Sequence, residues 1–134
     1  MGQSLFMQNI IACIWDFDKT LIPGYMQRPL FEHYAIDEAR FWGEVNELET
    51  HYREGGCEQV SGEMAYLNHV LDYTRRGLFD GLNNELLGQL GSQLDFYPGL
   101  PSFLSDLKQC IDENQRFTHH EISLENYIVS TGFT

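Results

Sequence analysis

The stretch Ile10-Ile11-Ala12-Cys13-Ile14-Trp15-Asp16-Phe17-Asp18-Lys19-Thr20-Leu21 decides how this 134-residue chain is read. Its first six residues are apolar and partly β-branched, with no helical period. A run this short, apolar on both faces, predicts a parallel strand covered by helices on either side. It ends at Asp16, and Ile22-Pro23-Gly24 supplies a turn. Side chains two apart on an extended chain point the same way, so Asp16 and Asp18 face one site while Phe17 packs behind them. In an open parallel sheet ligands bind beyond the carboxyl ends of the strands, where this pair would lie. Two carboxylates there would hold Mg²⁺, which prefers oxygen ligands, or divide the labour of nucleophile and proton donor. An EF-hand loop also begins Asp-x-Asp, but its sixth position, Gly, is Leu21 here and its twelfth, Glu, is Gln27. The other alternative is a solvated Asp pair in a turn after a strand.

Outward from this stretch, the pattern turns helical from about Pro29 to Leu94. Asp37 caps a helix carrying Phe41, Val45, Leu48 and Tyr52, and Gly55-Gly56 stops it. A second helix starts at Ser61, buries Met64, Leu67 and Leu71, and ends at Gly77 after Arg75 and Arg76. Asn83 or Asn84 caps a third with Leu86, Leu87 and Leu90. The rings of Phe41, Trp42, Tyr66 and Tyr73 are expected in the core of these helices. After the turn Asp95-Phe96-Tyr97-Pro98-Gly99, Pro101 opens a helix with Phe103, Leu104, Leu107 and Ile111 on one face. The polar stretch Asp112 to Glu121 reads as a loop whose doublet His119-His120 is solvated. Tyr127-Ile128-Val129 predicts a second short strand ending at Ser130-Thr131-Gly132.

Composition excludes some functions. The apolar fraction of 43%, with 9 Phe, 7 Tyr and 2 Trp, fills a packed interior. A net charge of −12 disfavours nucleic acid and anionic membranes, which gain affinity from basic surfaces. It also makes an anionic substrate awkward unless a cation stands in the site. Three scattered cysteines, Cys13, Cys57 and Cys110, form no CxxC pair, which argues against a disulfide framework or zinc site. With no membrane-spanning run and no basic region ahead of the first apolar stretch, a cytoplasmic location is expected.

Apolar strand followed by Asp16-Phe17-Asp18-x-Thr20-Leu21 resembles the first motif of the haloacid dehalogenase superfamily. The resemblance implies that Asp16 attacks phosphorus and binds Mg²⁺. It makes Asp18 the general acid and base, also at the metal, and has Thr20 fix the loop. An Asp at position 18 favours phosphoryl transfer over dehalogenation. Phe96-Tyr97-Pro98-Gly99 and its helix resemble the return from a helical cap to the core. Tyr127 to Gly132 resembles the second motif, in which Ser130, with Thr131 and Gly132, holds the phosphoryl oxygens.

The resemblance implies an α/β fold: a partial Rossmann-like parallel-sheet core from residues 1–24 and 95–134, with an all-helical cap at 25–94. It implies a Mg²⁺-dependent phosphatase acting on a small phosphorylated metabolite through an aspartyl phosphate. A non-catalytic binding or regulatory protein of the same fold, and a phosphomutase or phosphotransferase, are the alternatives. Tyr25, Arg28 and His33 are candidates for substrate contact or for ordinary packing. The family's third motif, with a Lys, and its fourth, with acidic residues, follow the second motif. Lys19 and Lys108, the only lysines, both precede Ser130. The expectation is therefore a fragment, with the remainder of the protein or a second chain completing the core.

Overall fold

The computed structural model describes residues 9–132 and shows a mixed α/β chain, close to half of it helical. Two strands, β1 (Ile10–Trp15) and β2 (Ser123–Ile128), bracket the helices α1 (Arg28–His33), α2 (Glu38–Glu54), α3 (Gly62–Arg75), α4 (Asn84–Gly91), α5 (Ser102–Asp112) and α6 (Gln115–Thr118). The described residues fall into two compact units, 9–24 with 95–130, and 25–94 with 131–132.

The first unit is built on a parallel pair. β1 lies beside β2 in a register running from Ile10 opposite Ser123 to Trp15 opposite Ile128. Helix α5 packs on the pair: the Trp15 ring meets Phe103 edge-on at 6.0 Å, and Lys108 Nζ donates to the Leu124 carbonyl at 2.8 Å. Lys108 also pairs with Asp112, holding that carboxyl below its ordinary range. The expectation that β1 is covered on both faces fails within these residues. Ile14 is 69% exposed, and Ile10, Tyr127 and Val129 are exposed with it.

β2 begins at Ser123, four residues before the expected Tyr127. Its polar half hides the strand from a reading by hydrophobicity, yet the structure satisfies it. Leu124 is buried, and Asn126 accepts from Trp15 Nε1 at 3.0 Å while donating to the Leu104 carbonyl at 3.1 Å. The polar stretch ahead of it is not all loop. Asn114 accepts from the Arg116 amide and starts the one-turn helix α6. His119 and His120 beyond it are exposed, as expected.

The second unit is helical, and its boundaries follow local chemistry. Asp37, Ser61 and Asn83 each accept from a backbone N–H three residues on, capping α2, α3 and α4. Gly77, at φ 74°, takes the left-handed conformation just past α3. Helix α1, with Pro29 in its first turn, opens the expected helical segment, though six residues show too little period to mark it off as a separate helix.

The core centres on Phe41, which is fully buried. Its ring lies 4.8 Å from Phe31, 4.9 Å from His69 and 5.2 Å from Tyr73. The buried face of α3 is one helical step from the expected one. Ala65, Tyr66, His69, Val70 and Tyr73 are inside, whereas Met64 is 59% exposed, and Leu67 and Leu71 are exposed too. Glu44 on α2 explains the choice. Its carboxylate accepts from Tyr73 Oη at 2.7 Å, faces His69 Nε2 at 2.9 Å, and accepts from Arg40 Nε at 2.8 Å. Rings with polar tips are buried without leaving those tips unpaired, so their area outweighs that of the aliphatic stripe.

Those donors, the Tyr73 hydroxyl first, hold the Glu44 carboxyl down at about 2 against an ordinary 4.5. Burial, then the Glu44 carboxylate, raises the Tyr73 hydroxyl. A depressed carboxyl pKa stabilises the fold fully above about 4.5, and that stability is lost as pH falls towards 2. Glu44→Gln is therefore expected to cost about 1–2 kcal/mol at neutral pH. The deficit against the parent protein should shrink between pH 4.5 and 2, as read by urea unfolding across that range. Phe41→Ala, which empties the centre of the cluster, should cost about 3–5 kcal/mol in the same assay.

Candidate functional site

The site lies where β1 stops, and the loop that follows is held by backbone. The Phe17 carbonyl accepts from Leu21 N at 2.9 Å, with the amides of Thr20 and Ile22 at 3.3 and 3.4 Å. Lys19 sits at φ 58°, an uncommon conformation for a residue with a side chain, and its amide donates to the Gly24 carbonyl at 3.0 Å. Asp18 pairs with Ile22 in an isolated bridge. The chain thus makes a tight loop of about one helical turn and folds back, with Leu21 and Ile22 buried at its base.

Two further ties fix this loop on the first unit. The Tyr97 amide donates to the Leu21 carbonyl at 3.0 Å, and Phe17 meets Phe96 edge-on at 6.3 Å. The turn Asp95–Gly99 is thereby a buttress of the Asp16 loop as well as a connection. Gly99, at φ 95°, lets the chain turn into α5.

Asp16 is exposed just past the strand end, and Asp18 is half-buried. Thr20 Oγ1 donates to Asp16 Oδ2 at 3.3 Å, a bond that orients the carboxylate. On the neighbouring strand Val129 N donates to the Trp15 carbonyl at 2.9 Å, so the ladder continues one residue past β2. The register then sets Asp16 opposite Val129 and places Ser130, half-buried, one residue further. Adjacent strands lie about 4.8 Å apart, so Asp16 and Ser130 share one end of the sheet.

Asp16, Asp18, Thr20 and Ser130 all follow the carboxyl ends of the parallel pair, with Thr20 bonded to Asp16. Thr131 and Gly132 group with the helical unit instead. Tyr66 Oη donates to the Thr131 carbonyl at 3.4 Å, and a side chain at position 132 would collide with the Met26 sulfur. Of the candidate contact residues, Arg28 pairs with Glu32 at 2.8 Å and His33 stacks edge-on with Tyr34.

Chemically, the strand end offers two carboxylates and two hydroxyls, an all-oxygen set of the kind a hard cation takes. Among the described residues no group of three or more His, Cys, Asp or Glu is placed to hold a metal. Sequence reasoning missed Asn126, which ties both strands to α5, and the Phe17 carbonyl, which gathers the loop. The first looked like a polar residue outside any apolar run, and the second is backbone and leaves no trace in residue type.

An uncharacterized protein of Borreliella burgdorferi is 41% identical over 126 residues, 94% of this chain. The chain spans 43% of that relative's length. No family model matches the sequence. No solved structure matches it either.

Asn126→Ala breaks the tie among β1, β2 and α5 and leaves Trp15 Nε1 without its acceptor. It is expected to cost about 1–3 kcal/mol and to shift Trp15 emission, measured in a Trp42→Phe background.

Proposed function

We propose that this chain carries the nucleophile-bearing part of a Mg²⁺-dependent phosphatase of the haloacid dehalogenase superfamily, with a small phosphorylated metabolite as substrate. The observation that supports the reading is that Asp16 and Ser130 lie just beyond the carboxyl ends of two neighbouring parallel strands. One strand supplies a carboxylate, the other a hydroxyl and the backbone of a loop, and a phosphoryl group fits between such partners. No identified relative supports the activity, so the reading rests on this geometry and on the motif resemblance.

Asp16, exposed and oriented by Thr20, attacks phosphorus and displaces the substrate's alcohol, leaving an aspartyl phosphate. Asp18, two residues on and half-buried, gives its proton to the departing alkoxide and then takes one from the water that hydrolyses the aspartyl phosphate. Ser130 donates to a phosphoryl oxygen and steadies it during transfer. The oxygen donors of Asp16 and Asp18 fit Mg²⁺, which when bound offsets the repulsion between carboxylate and phosphate.

The reaction also needs a cation against the phosphate and further acidic ligands. Lys108 does not serve, being committed to Asp112 and the Leu124 carbonyl. A polypeptide beyond these residues, in the same protein or a second chain, is proposed to bring these groups and to cover the bare face of β1. These 134 residues alone are expected to turn over little or nothing.

The test is hydrolysis of small phosphomonoesters, with and without Mg²⁺, by the protein carrying that additional polypeptide. Asp16→Asn should lower kcat by on the order of a thousandfold or more while leaving the melting temperature unchanged. Mg²⁺-dependent turnover that survives this change would remove Asp16 from the mechanism. Thr20→Val should lower kcat by about tenfold, the share of one orienting hydrogen bond.

A further inference from the structure

The two outer edges of the β1–β2 pair are not alike. In a parallel ladder every second residue of a strand turns both its N–H and its C=O towards the neighbour, and the residues between turn theirs away. The Ser123 amide donates to the Asn9 carbonyl and the Val129 amide to the Trp15 carbonyl, both at 2.9 Å. The register carries this pattern through the pair, so the odd-numbered residues of both strands face inwards. The outward backbone groups are those of Ile10, Ala12 and Ile14 on β1, and of Leu124, Asn126 and Ile128 on β2.

The β2 edge is partly closed. The Leu124 amide donates to Asp112 Oδ1 at 3.2 Å, and its carbonyl accepts from Lys108 Nζ at 2.8 Å. Lys108 and Asp112 lie one turn apart on α5 and pair with each other at 2.8 Å. A strand approaching there would have to break these contacts, and charged side chains over an edge are one way proteins prevent further pairing. The β1 edge has no such guard. Its residues are Ile, Ile, Ala, Cys, Ile and Trp, with no charge and no proline, in an unbroken register with β2. Among the described residues no strand lies on its outer side. The face beside that edge is bare as well, with Ile10 54% and Ile14 69% exposed.

We propose that the outer edge of β1 is a strand-addition site, taken by an extended apolar segment of the kind of polypeptide that the Borreliella burgdorferi relative carries outside its match. The segment gives backbone partners to Ile10, Ala12 and Ile14, and the chain connected to it covers the bare face. Two observations choose this occupant over a second copy of the chain. The chain spans 43% of that relative, so more than half of the relative lies outside the match. A crossover connection to a neighbouring parallel strand takes only about a dozen residues or more. Two copies, each with a net charge of −12, would meet edge to edge against their own repulsion. The inference shares its additional polypeptide with the proposed function but not the chemistry, since it rests on backbone pairing.

Amide hydrogen exchange, read residue by residue by NMR, tests this on the 134-residue chain and on the full-length Borreliella burgdorferi relative. In the chain alone the amides of Ile11, Cys13 and Trp15 should be protected, and those of Ile10, Ala12 and Ile14 should exchange freely. In the relative, the amides matched to Ile10, Ala12 and Ile14 should be slowed by about a hundredfold or more. Ala12→Pro removes one outward N–H and spares the bonds to β2, as proline does on an edge strand. It should leave the melting temperature of the chain unchanged. The same change at the matched position should lower that of the relative by about 5 °C or more. Equally fast exchange at these positions in both proteins, or a proline tolerated by both, would overturn the proposal. So would protection that appears in the chain alone and grows with its concentration, which would give the edge to a second copy. No substrate enters these measurements. A protected edge without Mg²⁺-dependent hydrolysis would sink the phosphatase reading alone, and hydrolysis with an open edge would sink this one alone.

Discussion

The first unit depends on the parallel pairing of β1 with β2, two strands separated by more than a hundred residues of sequence. A parallel pair cannot be closed by a hairpin, so the chain must leave one end of the sheet and return to the other. Here the outward path carries the whole helical unit, and the return runs through α5. Once the register sets Trp15 opposite Ile128, everything just beyond these residues collects at one edge. That edge holds Asp16, Asp18, Thr20 and Ser130. Their meeting is a consequence of strand register, and no short-range preference would bring Ser130 to Asp16.

The same pairing leaves a debt. A strand as apolar as Ile10 to Trp15 belongs inside a sheet with helices on both faces, yet among the described residues it is α5 alone that packs on it, and Ile14 stands open. A two-stranded parallel sheet buries too little to be stable alone. The bare face asks for more apolar surface, and the proposed phosphoryl chemistry asks for more positive charge. This is why the proposed chemistry is assigned to a larger assembly than these residues.

The helical unit rests on different physics. Its helices begin where Asp37, Ser61 and Asn83 provide an acceptor, and its core is chosen by rings whose polar tips find one. Glu44 performs that service for Tyr73 and His69 together. Its presence turns α3 by one step from the face that a count of Leu and Met would select. It also leaves a hydrophilic flank between α2 and α3, lined by Glu47, Asn68, Asp72 and Arg75 among others.

The sequence by itself determined the features that local chemistry controls. The extent of β1, the starts of α2, α3 and α4, and the break at Gly55-Gly56 follow from apolar runs, capping side chains and glycine. The position of Asp16 and Asp18 was legible because they follow directly where the apolar run of β1 stops. Only the tertiary structure decided the rest. β2 starts at Ser123 because Asn126 is paired by Trp15 and Leu104, partners far away along the chain. Tyr66 and Tyr73 lie in the core as their rings led one to expect, but His69 joins them there while Met64, Leu67 and Leu71 stay outside, because a carboxylate on another helix satisfies two of the buried rings. Thr131 and Gly132 leave the sheet for the helical unit, meeting Tyr66 and Met26. In each case the deciding partner is remote in sequence. A polar group is placed by whether it is paired once buried, and residue type does not record the partner.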